Sequence, residues 1–467
     1  MKKIVPRESQ TVLATKNTQK STMKMTFLGT KNPSLLKLKN SFFVPFFLAL
    51  IGCSTVKKIA VEQDVTRQLN QSEVFSNQFT GFSLFDIEKN EFVAGYNSTL
   101  KFTPASNTKL LTMYAVLKSF SDSIPSLIYQ RNDSDLHVRP IGDPTFLYKP
   151  FKSQKTFDLL NSVDTIKIDW PKEELASFGT GWAWDDYIYS FQAQRNWWPI
   201  YGNTISVKKV NDSLTIAPPF FKDYVEVLEQ TRPGELVARE LRFNVFKAYL
   251  ESDTSNFERI IPFESSKDLL SQLLLDTLQS EVLFTNNQEV FQDTLYSHAT
   301  DSVLAYMLKP SDNFLAEQLL IMAAWQNGFS EIKPFIKQVN NTWLTNLTDM
   351  VWVDGSGLSR YNLIAPVDQV RLLKKCHDEF GWQRMTSILP TGGEGTLEES
   401  FLMEDEETPF IFAKTGTLSN NHNLSGYLIT RSGKRMIFSF MNNHYTKPSE
   451  DIKRAMEKFL IDVRDAY

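Results

Sequence analysis

The chain of 467 residues has few of the side chains that build metal centres or disulfide frameworks. It contains two cysteines, Cys53 and Cys376, and five histidines that are dispersed along the sequence. No Cys-x-x-Cys, His-Glu-x-x-His or paired Cys/His spacing occurs in it. We therefore expect neither a metal site nor a cofactor.

A basic cluster is also missing from most of the chain. The net charge of −4 combines an amino-terminal segment, residues 1–52, that carries +8 with a remainder that carries −12. An acidic body without a basic patch argues against nucleic acid as a partner. A hydrophobic content of 42% and a charged content of 22% are ordinary for a globular protein of two or three domains.

Long apolar runs are scarce, and the run over residues 42–51 is too short to span a bilayer. It follows three lysines and ends in a small-residue site, which is the layout of an export signal. The sequence Leu50-Ile51-Gly52-Cys53 resembles the lipobox of bacterial lipoproteins, in which the cysteine becomes the lipidated first residue.

The lipobox predicts a signal peptide over residues 1–52, lipidation of Cys53 and a tether over residues 53–59. It places the protein outside the cytoplasm, in the periplasm, and attached to a bacterial membrane through acyl chains only. Translation from Met23 or Met25 would give a signal of more usual length. The alternative is a buried cysteine that follows a core segment.

Ser106 and Lys109 form the candidate nucleophile and base. Pro104 and small residues open a predicted buried helix, and a spacing of three places both side chains on one face. An amine that burial or a neighbouring cation keeps neutral can remove the proton of a serine hydroxyl. The pattern alone is weak, because Ser-x-x-Lys also begins at Ser21, Ser34, Ser54, Ser98, Ser206 and Ser330.

The rest of the chain divides into segments with different residue patterns. Two strands are predicted over residues 79–86 and 92–96, and a β-rich inserted domain over residues 125–295. Helical patterns return near His298, with a fully buried helix over residues 314–325. The last part predicts strands over residues 410–417, 424–430 and 436–440, then a final helix capped by Ser449.

Two further motifs single out Ser106 among the serines. Ser311-Asp312-Asn313 and Lys414-Thr415-Gly416 each occur once and follow Ser-x-x-Lys in the order expected for penicillin-binding proteins and class A β-lactamases. With the flanking motifs, the chain resembles peptidase family S13, the D-Ala-D-Ala carboxypeptidases/endopeptidases of the penicillin-binding protein 4 type. These flanking motifs are Gly142-Asp143-Pro144-Thr145, Gly181-Trp182-Ala183-Trp184-Asp185-Asp186, Ala316-Glu317, Asp354-Gly355-Ser356-Gly357-Leu358-Ser359-Arg360 and Ala413-Lys414-Thr415-Gly416-Thr417-Leu418.

The resemblance implies an α+β fold of the penicillin-binding/β-lactamase-like transpeptidase type, in which helices flank an antiparallel sheet as an α/β sandwich. It assigns residues 60–124 and 296–467 to the catalytic domain and residues 125–295 to the insert. A class A β-lactamase has no room for an insert between the first two motifs, whereas family S13 carries its extra domains there.

The resemblance also implies the roles of the site residues. Ser106 attacks the carbonyl of the penultimate D-Ala, Lys109 is the base, and Ser311 passes the proton to the leaving nitrogen. Burial and the nearby Lys414 are expected to disfavour the charge on Lys109. The residues expected to bind substrate are Asn313, Lys414, Thr415, Gly416 and Thr417, of which Thr417 shares the oxyanion hole with Ser106 through backbone N–H groups.

The expected partners are peptidoglycan stem peptides, with β-lactam antibiotics as covalent inhibitors. A structural contact is favoured over a diamino-acid contact for Asp169 and Asp185. Two alternatives remain. One is a β-lactamase, which needs a positioned water for deacylation, and the other is a lipid-anchored, non-catalytic wall-binding protein with the same fold.

Overall fold

The computed structural model describes residues 63–467 except 133, 153, 212, 231, 233, 251–254, 279, 286–290, 348 and 403–407. The predicted signal peptide, Cys53 and the tether lie outside the described residues. Within the described part of the chain, none of the helices combines the length and the apolar character needed to cross a membrane.

Ten α-helices occur among the described residues. In chain order they are α1 (63–71), α2 (Lys109–Ser119), α3 (Lys155–Leu160), α4 (Lys267–Leu278), α5 (Thr300–Leu308), α6 (Asn313–Gln326), α7 (Ile332–Thr342), α8 (Pro366–Phe380), α9 (Trp382–Ile388) and α10 (Ser449–Ala466).

Sixteen strands accompany them in the same part of the chain. They are β1 (Phe79–Asp86), β2 (Glu91–Tyr96), β3 (Ser123–Asn132), β4 (Asp135–Pro140), β5 (Thr165–Asp169), β6 (Thr204–Val210), β7 (Ser213–Ala217), β8 (Val225–Leu228), β9 (Val237–Arg239), β10 (Phe246–Tyr249), β11 (Phe257–Pro262), β12 (Glu281–Thr285), β13 (Asp293–Ala299), β14 (Ile411–Leu418), β15 (Asn421–Ile429) and β16 (Arg435–Asn443).

One antiparallel sheet of five strands, in the order β14-β15-β16-β1-β2, organises the two ends of the described chain. Side chains alternate between its faces because a strand has a period of two. Phe85 and Ile437 pack with α2, α6 and α8 on one face, whereas Leu84 and Phe438 pack with α10 on the other. Helical layers therefore cover both faces, which confirms the predicted α+β fold.

Residues 123–299 form three further sheets, in the orders β12-β5-β4-β3-β13, β11-β6-β7 and β8-β10-β9. A hydrophobic cluster drawn from residues 127–278 lies among these strands and α4. This segment is rich in β structure, as the alternating strand and turn patterns indicate. The proposed division into a catalytic domain and an inserted domain stays a prediction.

Most elements agree with the sequence patterns, and two helix starts differ. Ser106 lies in a 3-10 turn over Ala105–Thr108, and the α-helix begins only at Lys109. Ser449 is the first residue of α10 and not its cap, since Pro448 occupies that position. The predicted buried face of this helix is confirmed at Ile452, Met456, Phe459, Leu460 and Val463.

The aromatic-rich part of residues 181–198 has mixed surroundings. Trp197 and Trp198 are buried in the core, whereas Trp184 is 75% exposed. Asp169 pairs with Arg139 at the end of β5.

Candidate active site

The turn that carries Ser106 is held against the sheet by its neighbour Asn107. The Asn107 side chain donates from Nδ2 to the Lys414 carbonyl at 2.6 Å and accepts from Ser425 Oγ at 2.9 Å. Strand β14 approaches this turn closely, because a Cβ on Gly416 would lie 2.3 Å from the Pro104 carbonyl oxygen. Only glycine permits that approach, which explains the last residue of the Lys-Thr-Gly motif.

Lys109 brings three distant segments together. It is fully buried, and its Nζ donates to Ser106 Oγ at 3.0 Å, to Asn313 Oδ1 at 2.5 Å and to the Ser356 carbonyl at 2.8 Å. The predicted convergence of Ser106, Lys109 and Asn313 is therefore present in the fold. Ser356, which sequence reasoning left among the turn residues of the Gly-rich loop, contributes the third oxygen.

Burial lowers the pKa of Lys109 from 10.5 to about 8. The carboxylates of Asp312, Glu317 and Asp354 act in the opposite direction, since each favours the charged amine. A pKa near 8 leaves a useful fraction of neutral amine around neutral pH, and this amine lies within hydrogen-bond reach of Ser106 Oγ.

Lys414 is buried on the neighbouring strand. Its Nζ donates to the Thr415 carbonyl at 2.8 Å, and Thr415 Oγ1 donates to Thr396 Oγ1 at 2.8 Å. Burial first, and then the charge of Lys109, lower the pKa of Lys414 well below its usual value. The charge of Lys109 thus acts on Lys414, and the expected effect of Lys414 on Lys109 stays a prediction.

The loop before α6 holds the second motif. Asp312 is the cap of this helix, since its Oδ1 accepts from the Leu315 N–H at 2.8 Å and its Oδ2 from Tyr148 Oη at 2.6 Å. Ser311 has a φ of 66°, in the left-handed region, and it is half-buried. Within the described part of the chain it has no direct hydrogen bond to Ser106 or Lys109, so its role as a proton relay stays a prediction.

The outer edge of β14 supplies backbone donors. In the sheet order this strand is terminal, and Ala413 donates outward to the Pro390 carbonyl at 2.9 Å. The period of two then places the N–H groups of Thr415 and Thr417 at the same edge. On the inner side, the Thr417 hydroxyl lies 2.8 Å from His422 Nδ1.

A buried ion pair supports the base from behind, and sequence reasoning assigned it no role. Arg195 donates from Nε and Nη2 to Glu317 Oε2 at 3.0 and 2.5 Å, and Glu317 Oε1 accepts from the Ser356 N–H at 2.7 Å. Glu317 therefore holds the backbone of Ser356 through its N–H, and the carbonyl of the same residue accepts from the Lys109 amine. In the sequence, Glu317 stands out only as part of a motif that carries the family resemblance. Nothing in the sequence links it to Arg195.

Asp354 holds the Gly-rich loop in shape. It accepts from the N–H groups of Gly357 and Ser359 and from the side chains of Asn362 and Trp182, all at 2.7–2.9 Å. A Cβ on Gly357, whose φ is 87°, would lie 1.9 Å from the Ala105 carbonyl oxygen. The loop thus presses directly on the Ser106 turn.

Replacing Arg195 by alanine would leave the Glu317 carboxylate buried without its cation. We expect Arg195→Ala to lower the free energy of unfolding by about 3–5 kcal/mol. Arg454→Ala, which removes an exposed pair with Asp451, should cost less than about 1 kcal/mol. Urea denaturation measures the free energy of unfolding of both variants. A loss in Arg195→Ala as small as that in Arg454→Ala would show that the buried pair contributes little to stability.

Comparisons with known proteins find carboxypeptidases that are similar to this chain. D-alanyl-D-alanine carboxypeptidase DacB of Haemophilus influenzae is 23% identical over 439 residues, which cover 84% of this chain and 90% of the relative. Penicillin-sensitive carboxypeptidase A of Dictyostelium discoideum is 21% identical over 430 residues, 78% of this chain and 82% of that protein.

The fold is shared with a solved structure. The crystal structure of penicillin binding protein 4 from H. influenzae matches with a TM-score of 0.68 and 20% identity, over 86% of this chain and 98% of that one. The family model described as D-Ala-D-Ala carboxypeptidase 3 (S13) matches residues 61–227 and 272–463. This match extends over more than half of the sequence, and the chain therefore belongs to the D-Ala-D-Ala carboxypeptidase 3 (S13) family.

Proposed function

We propose that Ser106 is the nucleophile and Lys109 the general base of this penicillin-binding, serine-type D-Ala-D-Ala carboxypeptidase. The observation that carries the proposal is the contact of 3.0 Å between a buried amine and the serine hydroxyl. A lysine whose pKa is lowered by burial is a competent base for a hydroxyl that is otherwise a poor nucleophile.

The reaction then runs in two steps. Ser106 Oγ forms a bond to the carbonyl carbon of the penultimate D-Ala, and Lys109 takes its proton. The C–N bond to the terminal D-Ala breaks, and the leaving nitrogen takes up a proton through Ser311. Water next cleaves the acyl-enzyme ester, which returns the proton to Ser106 and releases the shortened peptide.

The outer edge of β14 binds the substrate. The N–H groups of Ser106 and Thr417 are the donors for the oxyanion, where the loss of one donor typically costs about 10²–10³ in rate. Lys414, Thr415 and Gly416 face the terminal carboxylate, and Asn313 holds the amide of the substrate together with the Lys109 amine. Peptidoglycan peptides and β-lactams both present a carboxylate beside an acyl carbon.

The carboxylates around Lys109 favour the peptidase over the β-lactamase alternative. Glu317 accepts from Arg195 and from a backbone N–H, Asp312 caps α6, and Asp354 takes four donors in its loop. A carboxylate committed in this way is poorly placed to activate a water for rapid deacylation. We therefore expect a long-lived penicilloyl enzyme.

Fluorescent penicillin tests the assignment. Incubation with the wild-type protein should give a stable covalent label at a stoichiometry of about one, which is absent from Ser106→Ala because the attacking oxygen is removed. Ser98→Ala, in another Ser-x-x-Lys sequence, is the matched control and should label like the wild type. Rapid turnover of the label would indicate a β-lactamase, and no label on the wild type would indicate a binding protein.

The pH dependence of acylation tests the base. Only the neutral amine accepts a proton, so the acylation rate should rise about tenfold per unit below pH 7 and level off above about pH 8. His422, whose pKa burial lowers to about 4, stays neutral across this range. Stopped-flow acylation between pH 5.5 and 9.5 gives the profile. A midpoint near 6, or an unchanged profile in Lys109→Arg, would contradict the role of Lys109.

We also propose that the protein is periplasmic and anchored to a membrane through Cys53. The support is the order of lysines, apolar run and Gly52-Cys53 in the sequence. In cells fed an alkyne analogue of palmitate, the wild-type chain should carry the label and enter the membrane fraction, whereas Cys53→Ala should do neither. Cys376→Ala, at a buried thiol, is the control and should label normally. Labelled Cys53→Ala would contradict the anchor.

A further inference from the structure

A cavity of about 500 Å³ lies at the carboxyl end of α6, away from the reacting groups. The helix begins at Asn313, which contacts Lys109, and Trp325 near its other end lines the cavity. Twelve residues of helix separate Asn313 from Trp325, which is about 18 Å along the axis. The cavity is therefore separate from the place where the acyl group is transferred, and its volume is typical of a small-ligand site.

Aromatic rings are concentrated in the walls of this cavity. Four of its eleven lining residues are aromatic, although aromatic residues make up only 13% of the chain. Trp197 is buried, whereas the other three rings are half-buried and keep part of their surface for a ligand. These three rings belong to Trp170, Trp325 and Phe329.

Contacts with neighbouring residues hold two of these rings in place. Lys267 Nζ lies 5.3 Å from the centre of the Trp170 ring, and the Phe284 ring meets it edge-on at 5.9 Å. Trp197 donates from Nε1 to the Glu173 carbonyl at 3.0 Å, which ties the segment after β5 to the cavity. Rings that are fixed before a ligand arrives lose little conformational entropy when it binds.

An ion pair supplies the polar groups of the cavity. Arg139 donates from Nε to Asp169 Oδ2 at 2.8 Å, and its Nη2 donates to the same oxygen. In the portion of the chain that the structure describes, no donor reaches Asp169 Oδ1, so this oxygen is available to a hydroxyl group. Lys172 and Glu173 bring the lining charges to two cations and two anions. Such a balance suits a neutral ligand with several hydroxyl groups better than an ion.

Sugar rings have the two properties that these walls require. A pyranose ring has a face of C–H groups, which packs on an aromatic ring, and a rim of hydroxyl groups, which hydrogen-bond with carboxylate and guanidinium groups. We propose that the cavity binds the glycan strand of peptidoglycan through one or two of its neutral, N-acetylated amino-sugar rings. Binding of the sugar does not depend on the proposed function.

A bound glycan strand keeps its stem peptides close to Ser106. Attachment at one site raises the effective concentration of a linked group at another. Peptides on a glycan strand should therefore be hydrolysed at a lower KM than a free pentapeptide, and this difference should depend on the cavity. The effect on hydrolysis rests on the proposed function, since it uses the same nucleophile.

Titration calorimetry of the full chain with chitotetraose, a neutral oligomer of N-acetylglucosamine, tests the binding. The wild type should bind with a Kd below about 1 mM. Trp170→Leu removes a ring but keeps an apolar side chain, and Asp169→Asn removes the charged acceptor, so each should weaken binding at least about tenfold. Trp184→Leu is the matched control, because Trp184 is 75% exposed and lies outside the cavity wall. It should bind like the wild type.

Three results would overturn the inference. They are the absence of binding to the wild type, a loss in Trp184→Leu as large as that in Trp170→Leu, and full binding by Asp169→Asn. Circular dichroism shows whether each variant is folded, and Asp169→Asn leaves every ring in place if Trp170→Leu proves unstable. Binding should also persist in protein already acylated by penicillin. Its loss on acylation would place the sugar beside Ser106 and would likewise overturn the inference.

The effect on hydrolysis is measured as the KM for soluble glycan fragments that carry pentapeptides and as the KM for free pentapeptide. Asp169→Asn should raise the first at least about fivefold and leave the second within about twofold of the wild type. Equal changes in both would overturn the inference. If the wild type hydrolyses neither substrate, the proposed function fails, whereas the titration with chitotetraose still decides whether the cavity binds sugar.

Discussion

The position of one buried amine governs the arrangement of the site. Lys109 is fully buried, and in its charged form its three N–H groups donate to Ser106 Oγ, Asn313 Oδ1 and the Ser356 carbonyl. An amine in that setting is costly unless each donor finds an oxygen. The nucleophile turn, the loop before α6 and the Gly-rich loop must therefore converge on it, and the fold around them is the means by which they do.

The electrostatic balance around that amine is two-sided. Burial alone favours the neutral form, while Asp312, Glu317 and Asp354 favour the charged form, and the resulting pKa is about 8. Each of these carboxylates is in turn held by its own donors, so the field on Lys109 is set by groups with little freedom to move. Lys414 lies nearby, and burial together with the charge of Lys109 lowers its pKa well below the usual value.

Sequence patterns located the elements and the reacting residues, but not the contacts that tie them together. Residues 314–325 were recognised as a buried helix because they are apolar on all sides, and α6 differs from that range by one residue at each end. The predicted opening of the helix at Pro104 was wrong, since a 3-10 turn over Ala105–Thr108 precedes the α-helix. The contacts of Asn107 with the Lys414 carbonyl and of Gly416 with Pro104 hold this turn against the sheet. Arg195 was missed because it pairs with a residue 122 positions away, and no local periodicity reports such a pairing.

The segment between the first two motifs takes part in the site and is more than an appendage. Arg195 neutralises Glu317, Trp182 donates to Asp354 and the Phe191 carbonyl receives Asn313. All three contacts reach residues that in turn fix the surroundings of Lys109. Removal of residues 125–295 would therefore leave two buried carboxylates and one amide short of partners, beside the base itself. A shortened chain of this kind would keep Ser106, Lys109 and Lys414. It would lose Arg195, Trp182 and the Phe191 carbonyl, whose contacts hold the residues around Lys109 in place.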